Sequence, residues 1–275
     1  MSQINAYEDT VKTDTLPVNY SVKNIIDSIL QDNANAQQYT PEQKKERYRT
    51  CIALLNTYPE LKKILSLLHI RNISISGADR FARIGVLPPE LVVVDQRIKN
   101  MCTMPYWTVR TDERGKPVRR FSQCPGYNML PGCPPRSPRV ETVQKLLDRS
   151  SLFIVIQTRL LSGRGEGAQW KFLVLHRLAA DIAKILGSGA VVQKFGSGPC
   201  AACNIMSCMK GKTCGSPALK IYSLESMGVC VDALCSDLSF LTGNNDWEIR
   251  WLKHFGFKQQ APKKWKYVQA IALRL

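Results

Sequence analysis

After a polar opening stretch of about twenty residues, which carries no apolar periodicity and reads as an arm, the chain switches to helical spacing. Val22, Ile25, Ile26 and Ile29 fall on one face of a helix. Thr40-Pro41 opens a second helix by supplying an N-cap and a proline in the first turn. Helical character continues from Cys51 to Leu68 through Leu54, Leu55, Leu61, Ile64, Leu65 and Leu68. Gly77, the Pro88-Pro89 pair and the apolar run Leu91 to Val94 then mark a change to loop and strand, and a domain boundary is expected there.

Farther along the pattern alternates. Ser137-Pro138 is expected to cap a helix reaching about Arg149, after which LFIVIQ (Leu152 to Gln157) reads as a fully buried strand. A helix from about Ala168 to Leu186 stops at Gly187 and Gly189, and AVVQKF (Ala190 to Phe195) forms the next strand. This β-α-β unit predicts two parallel strands joined right-handedly. The segment WKYVQAIALRL reads as a further strand. The fold class that follows is α/β, with α+β as the alternative: a small mixed sheet with flanking helices, and a cysteine-rich loop leaving the end of a strand. The expected organisation is a polar arm over 1–20, a helical region over 21–90 and a cysteine-rich metal-binding α/β domain over 91–275.

Composition narrows the function classes. The 275 residues are 44% hydrophobic, enough for a substantial core. No stretch approaches the roughly 20 apolar residues of a membrane helix, and the start MSQINAYEDTVKTD lacks the basic and apolar regions of a signal peptide. The expectation is a cytoplasmic protein without a membrane partner. In that reducing compartment ten cysteines point to metal ligation, catalysis or burial rather than structural disulfides. The formal charge of +16 is concentrated in the cysteine-rich part, where 25 Lys/Arg face 11 Asp/Glu over residues 101–275. Such a surplus attracts nucleic acid, an acidic protein partner or an anionic small molecule, and part of it offsets thiolates.

The strongest chemical signal is GSGPCAACNIMSCMKGKTCGSP, in which Cys200, Cys203, Cys208 and Cys214 follow a C-x2-C-x4-C-x5-C spacing. The C-x-x-C turn lets two sulfurs converge, and the flanking glycines allow the backbone to wrap closely. Both zinc and iron–sulfur clusters accept four cysteines. The compact run, with Pro217 shortly after Cys214, favours an iron–sulfur cluster of the 4Fe-4S kind over zinc, and incidental buried thiols are the metal-free alternative. Upstream, Cys102, Cys124 and Cys133 are three thiols that make an incomplete set. They can add a fourth ligand from elsewhere, share ligands with the first site, hold a cluster with one open iron, or be small buried residues in a loop stiffened by prolines 125, 131, 134 and 135.

Other residues carry less. Cys230 and Cys235, five apart in an expected helix, lie on different faces and are expected to pack rather than ligate, and Cys51 belongs to an apolar helical pattern. His69, His176 and His254 form no ligand pair. GRGEG (Gly163 to Gly167) precedes a helix but lacks the lysine-serine ending of a phosphate loop, so a plain flexible loop is the stronger reading.

From VVVDQRIKNMC onward the sequence resembles the predicted metal-binding proteins catalogued as domain of unknown function 2284. The blocks that carry the resemblance are Asp95, Arg97 and Cys102, the CPP motif Cys133 to Pro135 with its following helix and strand, GPCAAC, and SLESMGV (Ser223 to Val229). They cover about two thirds of the chain. The resemblance implies cysteine-bound metal, iron–sulfur first, without a settled reaction. This chain departs from the pattern by the insert WTVRTDERGKPVRRFSQ between Cys102 and Cys133.

Three functions follow as expectations. The first is a redox iron–sulfur protein that passes electrons to a protein partner or reduces a bound substrate, which leaves open whether it is an oxidoreductase or an electron-transfer component. The second is a zinc-stabilised module binding nucleic acid or protein, suggested by WEIRWLKHF and KKWKYV. The third is delivery of metal or cluster to another enzyme.

Overall fold

The computed structural model describes residues 22–33, 36, 38–70, 80–103, 106–111, 117–122, 124, 126–160, 166–198, 200, 214, 216–247, 249 and 265–275. The amphipathic face expected near the start forms helix α1 (Val22–Asp32), which buries Ile26 and Ile29 against Val93, Ile98 and Met101. Helix α2 (Pro41–Asn56) begins with a reciprocal cap: Gln43 N–H donates to Thr40 Oγ1 at 3.3 Å, and Thr40 N–H donates to Gln43 Oε1 at 2.8 Å. The helical run is split before Pro59, because a proline ring is tolerated in a first turn and not in a helix interior. Helix α3 (Pro59–Ile70) takes over there.

Five strands make the main sheet. In chain order the strands of the molecule are β1 (Arg80–Leu87), β2 (Tyr106–Thr111), β3 (Pro117–Ser122), β4 (Leu152–Leu160), β5 (Val191–Gly196), β6 (Tyr222–Ser223) and β7 (Trp265–Leu273). The sheet runs β1-β4-β7-β5-β6, while β2 and β3 pair apart from it as an antiparallel ribbon with Tyr106 opposite Ser122. The insert between Cys102 and Cys133 thus builds its own hairpin.

Four further helices are α4 (Gln96–Asn100), α5 (Val140–Leu147), α6 (Glu166–Leu186) and α7 (Val231–Thr242). This mixture of helices on an open mixed sheet is the expected α/β architecture. The strands flanking α6 do run in the same direction, as the β-α-β reading requires. They are not neighbours, however: β7 lies between β4 and β5 and is antiparallel to both. Period-2 alternation explains the two layers that result. Leu152, Ile154 and Ile156 point toward Leu55 and Leu61 of α2 and α3 and toward Leu175 and Leu178 of α6. Phe153 and Val155 point the other way, to Val143 and Leu147 of α5 and Leu234 and Leu238 of α7.

One helix start differs from the sequence expectation. Arg139, not Ser137-Pro138, occupies the N-cap of α5, and no side chain caps it. Ser137 is turned inward instead, and its carbonyl oxygen and that of Pro138 accept from the Lys99 ammonium at 3.1 and 2.7 Å.

Candidate metal centre

Three chain segments converge beside the open end of β5. The first is the stretch from Val93 to Thr103. Val94 bridges Val229 in antiparallel fashion, Asp95 N–H donates to Gly228 O at 2.8 Å, and Cys230 N–H donates to Val93 O at 2.9 Å. Gly228 has φ +84°, and a Cβ there would lie 2.9 Å from Val140 Cγ2 and 3.0 Å from Asp95 O, so the contact needs glycine twice over. Asp95 caps α4 by accepting from Arg97 N–H at 2.8 Å. Burial pushes its carboxyl upward, but hydrogen bonds from Arg97 and Asn33 outweigh that and hold it below the ordinary carboxylate range. Arg97 also donates to both oxygens of Asp32, which ties α1 to this segment. Cys102 sits in the single 3-10 turn that follows, Met101–Thr103.

The second segment is the turn-rich loop from Cys124 to Arg136. Its backbone is closed by local bonds: Tyr127 N–H to Cys124 O at 3.0 Å, Asn128 N–H to Pro134 O at 2.8 Å and Cys133 N–H to Leu130 O at 3.1 Å. Two glycines make the packing possible. A Cβ on Gly126 would come within 2.8 Å of Cys133 Sγ, and one on Gly132 within 2.8 Å of Ile221 O and 4.0 Å of Cys200 Cβ. The third segment is the exit of β5, which leads through Ser197 and Gly198 to Cys200, half-buried against the first hydrophobic layer.

These segments bring thiols together that lie far apart in sequence. The Cys102 thiol donates to Cys124, and the backbone N–H groups of Gly126 and Tyr127 also point at the Cys124 sulfur. The hydrogen bond from Cys102 is the main force lowering the Cys124 pKa, so Cys124 carries the thiolate of the pair. The same bond, then burial, drives Cys102 the other way. Cys133 is pushed up to about 12, first by burial and then by the charges of Cys124, Glu225 and Cys200. The Cys102, Cys124 and Cys133 sulfurs therefore feel one another, and the loop that carries Cys133 packs beside Cys200, where a Cβ on Gly132 would lie 4.0 Å from Cys200 Cβ.

A family model described as predicted metal-binding proteins, domain of unknown function 2284, matches residues 108–255, more than half the chain. The chain belongs to this family. No curated protein and no solved structure matches it. The matched span begins after Asp95, Arg97 and Cys102, so membership in the domain of unknown function 2284 family is carried by the later blocks, including CPP, GPCAAC and SLESMGV. Metal binding is the property the family description states.

The donor chemistry fits such a group, since neutral thiols crowded around one thiolate become a ligand set once protons leave. Among the described residues no three Cys, His, Asp or Glu side chains stand at the spacing of ligands to a single ion. Cys203 and Cys208 lie outside the described residues, and of the expected C-x2-C-x4-C-x5-C set only Cys200 and Cys214 are placed, both half-buried. The segment WEIRWLKHF and His254 fall largely or wholly outside them as well, as do Gly163, Arg164 and Gly165 of GRGEG.

The remaining cysteines separate cleanly. Cys230 and Cys235 are 1% and 0% exposed and belong to different apolar clusters, and Cys51 is buried beneath α2. Cys230 ends up as the N-cap of α7 rather than within it. His176 on α6 keeps other company: its ring stacks on Phe172, and Nδ1 is 3.3 Å from Lys194 Nζ. Burial and then the Lys194 charge bring its pKa down to about 4.

Two residues of the centre escaped sequence reading. Lys99 is 8% exposed, and its ammonium interacts with the charge of Cys102. Glu225, inside SLESMGV, acts on both Cys102 and Cys133. The signal for Lys99 was its position on a one-turn helix three residues before Cys102. No helix among the described residues is long and apolar enough to cross a membrane.

Proposed function

We propose that this protein is an iron–sulfur redox protein in which Cys102, Cys124 and Cys133 take Cys200 as their fourth ligand. The observation that carries the reading is that the loop bearing Cys133 packs against Cys200, 67 positions away, with a Cβ on Gly132 only 4.0 Å from Cys200 Cβ and the Cys102–Cys124 pair alongside. A cluster of the 4Fe-4S type would supply one-electron transfer at this position. The N–H groups of Gly126 and Tyr127 hold negative charge at the Cys124 sulfur, and the Lys99 ammonium offsets charge at Cys102. Arg97 and Asp95 keep α4 in register so that Cys102 faces the loop. Cys203, Cys208 and Cys214 then remain as three thiols for a second centre that shares the same loop.

Anaerobic purification followed by iron, acid-labile sulfide and zinc analysis tests this, together with an electron-paramagnetic-resonance spectrum of the reduced protein. Iron and sulfide in equal amounts, with a reduced-cluster signal that disappears in both Cys133→Ala and Cys200→Ala, is the expected result. Stoichiometric zinc without sulfide would sink the reading and leave the zinc-stabilised module in its place.

A further inference from the structure

Behind the cysteine loop lies a cavity of about 710 Å3. That is within the size range of small-molecule sites, roughly 300 to 1,000 Å3. Its wall is shared with the sulfur arrangement. Thr103 directly follows Cys102, Pro134 directly follows Cys133, and Tyr127 aims its N–H at Cys124 while contributing to the cavity lining. The opposite wall is the start of α5 and the exposed side of α4.

The charge of this lining is one-sided. Lys99, Arg139 and Lys145 face a single carboxylate, that of Glu141. Neither Arg139 nor Lys145 is ion-paired among the described residues, whereas Arg97 on α4 is paired twice. Arg139 is close enough to Lys99 for the two cations to repel. Polar groups stand among them: Gln96 donates to Asn100 Oδ1 at 2.8 Å, which orients the Asn100 amide group at the edge of the cavity. The arrangement offers a planar guanidinium, two ammonium groups and amide donors around a volume too small for a protein segment.

We propose that this cleft is a binding site for a small organic anion, carrying a carboxylate or phosphate group, which Arg139 and Lys145 hold directly beside the cysteine centre. Arg139 supplies the forked donor that matches either oxyanion, and Lys145, two turns along α5, supplies a second point charge. Lys99 stands between the anion and Cys102 with its ammonium held by Ser137 O and Pro138 O, so one buried cation serves both charges. The inference deepens the proposed function by giving the centre a substrate class. The binding itself is read separately from the metal.

Isothermal titration calorimetry on the full, metal-loaded chain tests it with three probes: inorganic phosphate, succinate and the neutral succinamide. Saturable binding of phosphate or succinate, absent for succinamide, is expected. Arg139→Gln and Lys145→Gln should each weaken it roughly tenfold, the value of one charge-assisted hydrogen bond, with metal content unchanged. Lys62→Gln, at an exposed position of α3, should leave it as it is. No saturable binding of either anion, equal binding of succinamide, or an affinity in both variants unchanged from that of the parent chain would overturn the proposal. So would loss of metal together with binding in both variants, since those side chains would then be supporting the fold. A protein that binds the anion but holds zinc keeps this site and loses only the redox reading.

Discussion

Two populations of cysteine in one chain differ less in burial than in company. Cys51 and Cys230 sit in apolar clusters, and burial leads the forces that push each thiol up to about 12. Cys133 reaches the same value of about 12, yet much of its environment is other sulfur, Glu225 and a loop shaped by glycine. A shared value thus hides two chemistries. The first group avoids ionisation because nothing nearby rewards a charge. At Cys133 burial leads too, but the charges of Cys124 and Glu225 add to it, a penalty that a metal cation reverses. Company, more than exposure, separates a structural thiol from a ligand.

The sharpest way to break that comparison is to delete one member of each group. Cys133→Ala should abolish metal binding at the centre, measured as iron or zinc per chain, whereas Cys51→Ala should keep the metal and cost about 1 kcal/mol in chemical denaturation. Equal metal loss in both would erase the distinction. Next in size is Gly126→Ala. Its Cβ would meet Cys133 Sγ at 2.8 Å, so metal retention against a competing chelator should fall by roughly tenfold or more while the circular-dichroism spectrum stays unchanged.

A milder perturbation acts at the attachment of α1. Arg97→Ala removes the guanidinium bonds to Asp95 and Asp32, and thermal unfolding should register a loss of about 1 kcal/mol, with metal lost more readily because Cys102 is released. The smallest effect concerns a site with no sulfur at all. His176 has a folded pKa of about 4, below its ordinary 6.5. The unfolded chain therefore binds a proton over that interval and the folded one does not, so stability falls as pH drops from 6.5 toward 4. Denaturation midpoints should show this slope, and it should flatten in His176→Phe. A metal-centre signal unaffected over the same variant would confirm that the two regions titrate independently.

How much of this was legible beforehand depended on range. Thr40-Pro41, the run of Leu152 to Gln157 and the glycine stop after Leu186 are local signals, and each produced its element within a few residues. The placement of β7 between β4 and β5 was not legible, since an apolar strand pattern does not name its partners. Ser137-Pro138 looked like a cap because its chemistry suits one. The serine is instead drawn inward, where its carbonyl holds Lys99, a tertiary demand that local propensity cannot register. The cysteine spacing pointed to ligation, but it could not register that the loop of Cys133 is pressed through Gly132 onto Ile221 and toward Cys200.

The position of β7 has a consequence for how the molecule comes into being. While residues 265–273 are still unmade on a ribosome, β4 and β5 have no common neighbour, and each leaves an unpaired edge where the other half of the sheet should begin. The β1–β4 pair and β5, which leads to Cys200, then lack the strand that joins them in one sheet. Insertion of β7 joins them in a single event. With the ligand set proposed above, metal loading is expected to follow closure of the sheet, timed by a strand that contributes no ligand of that set.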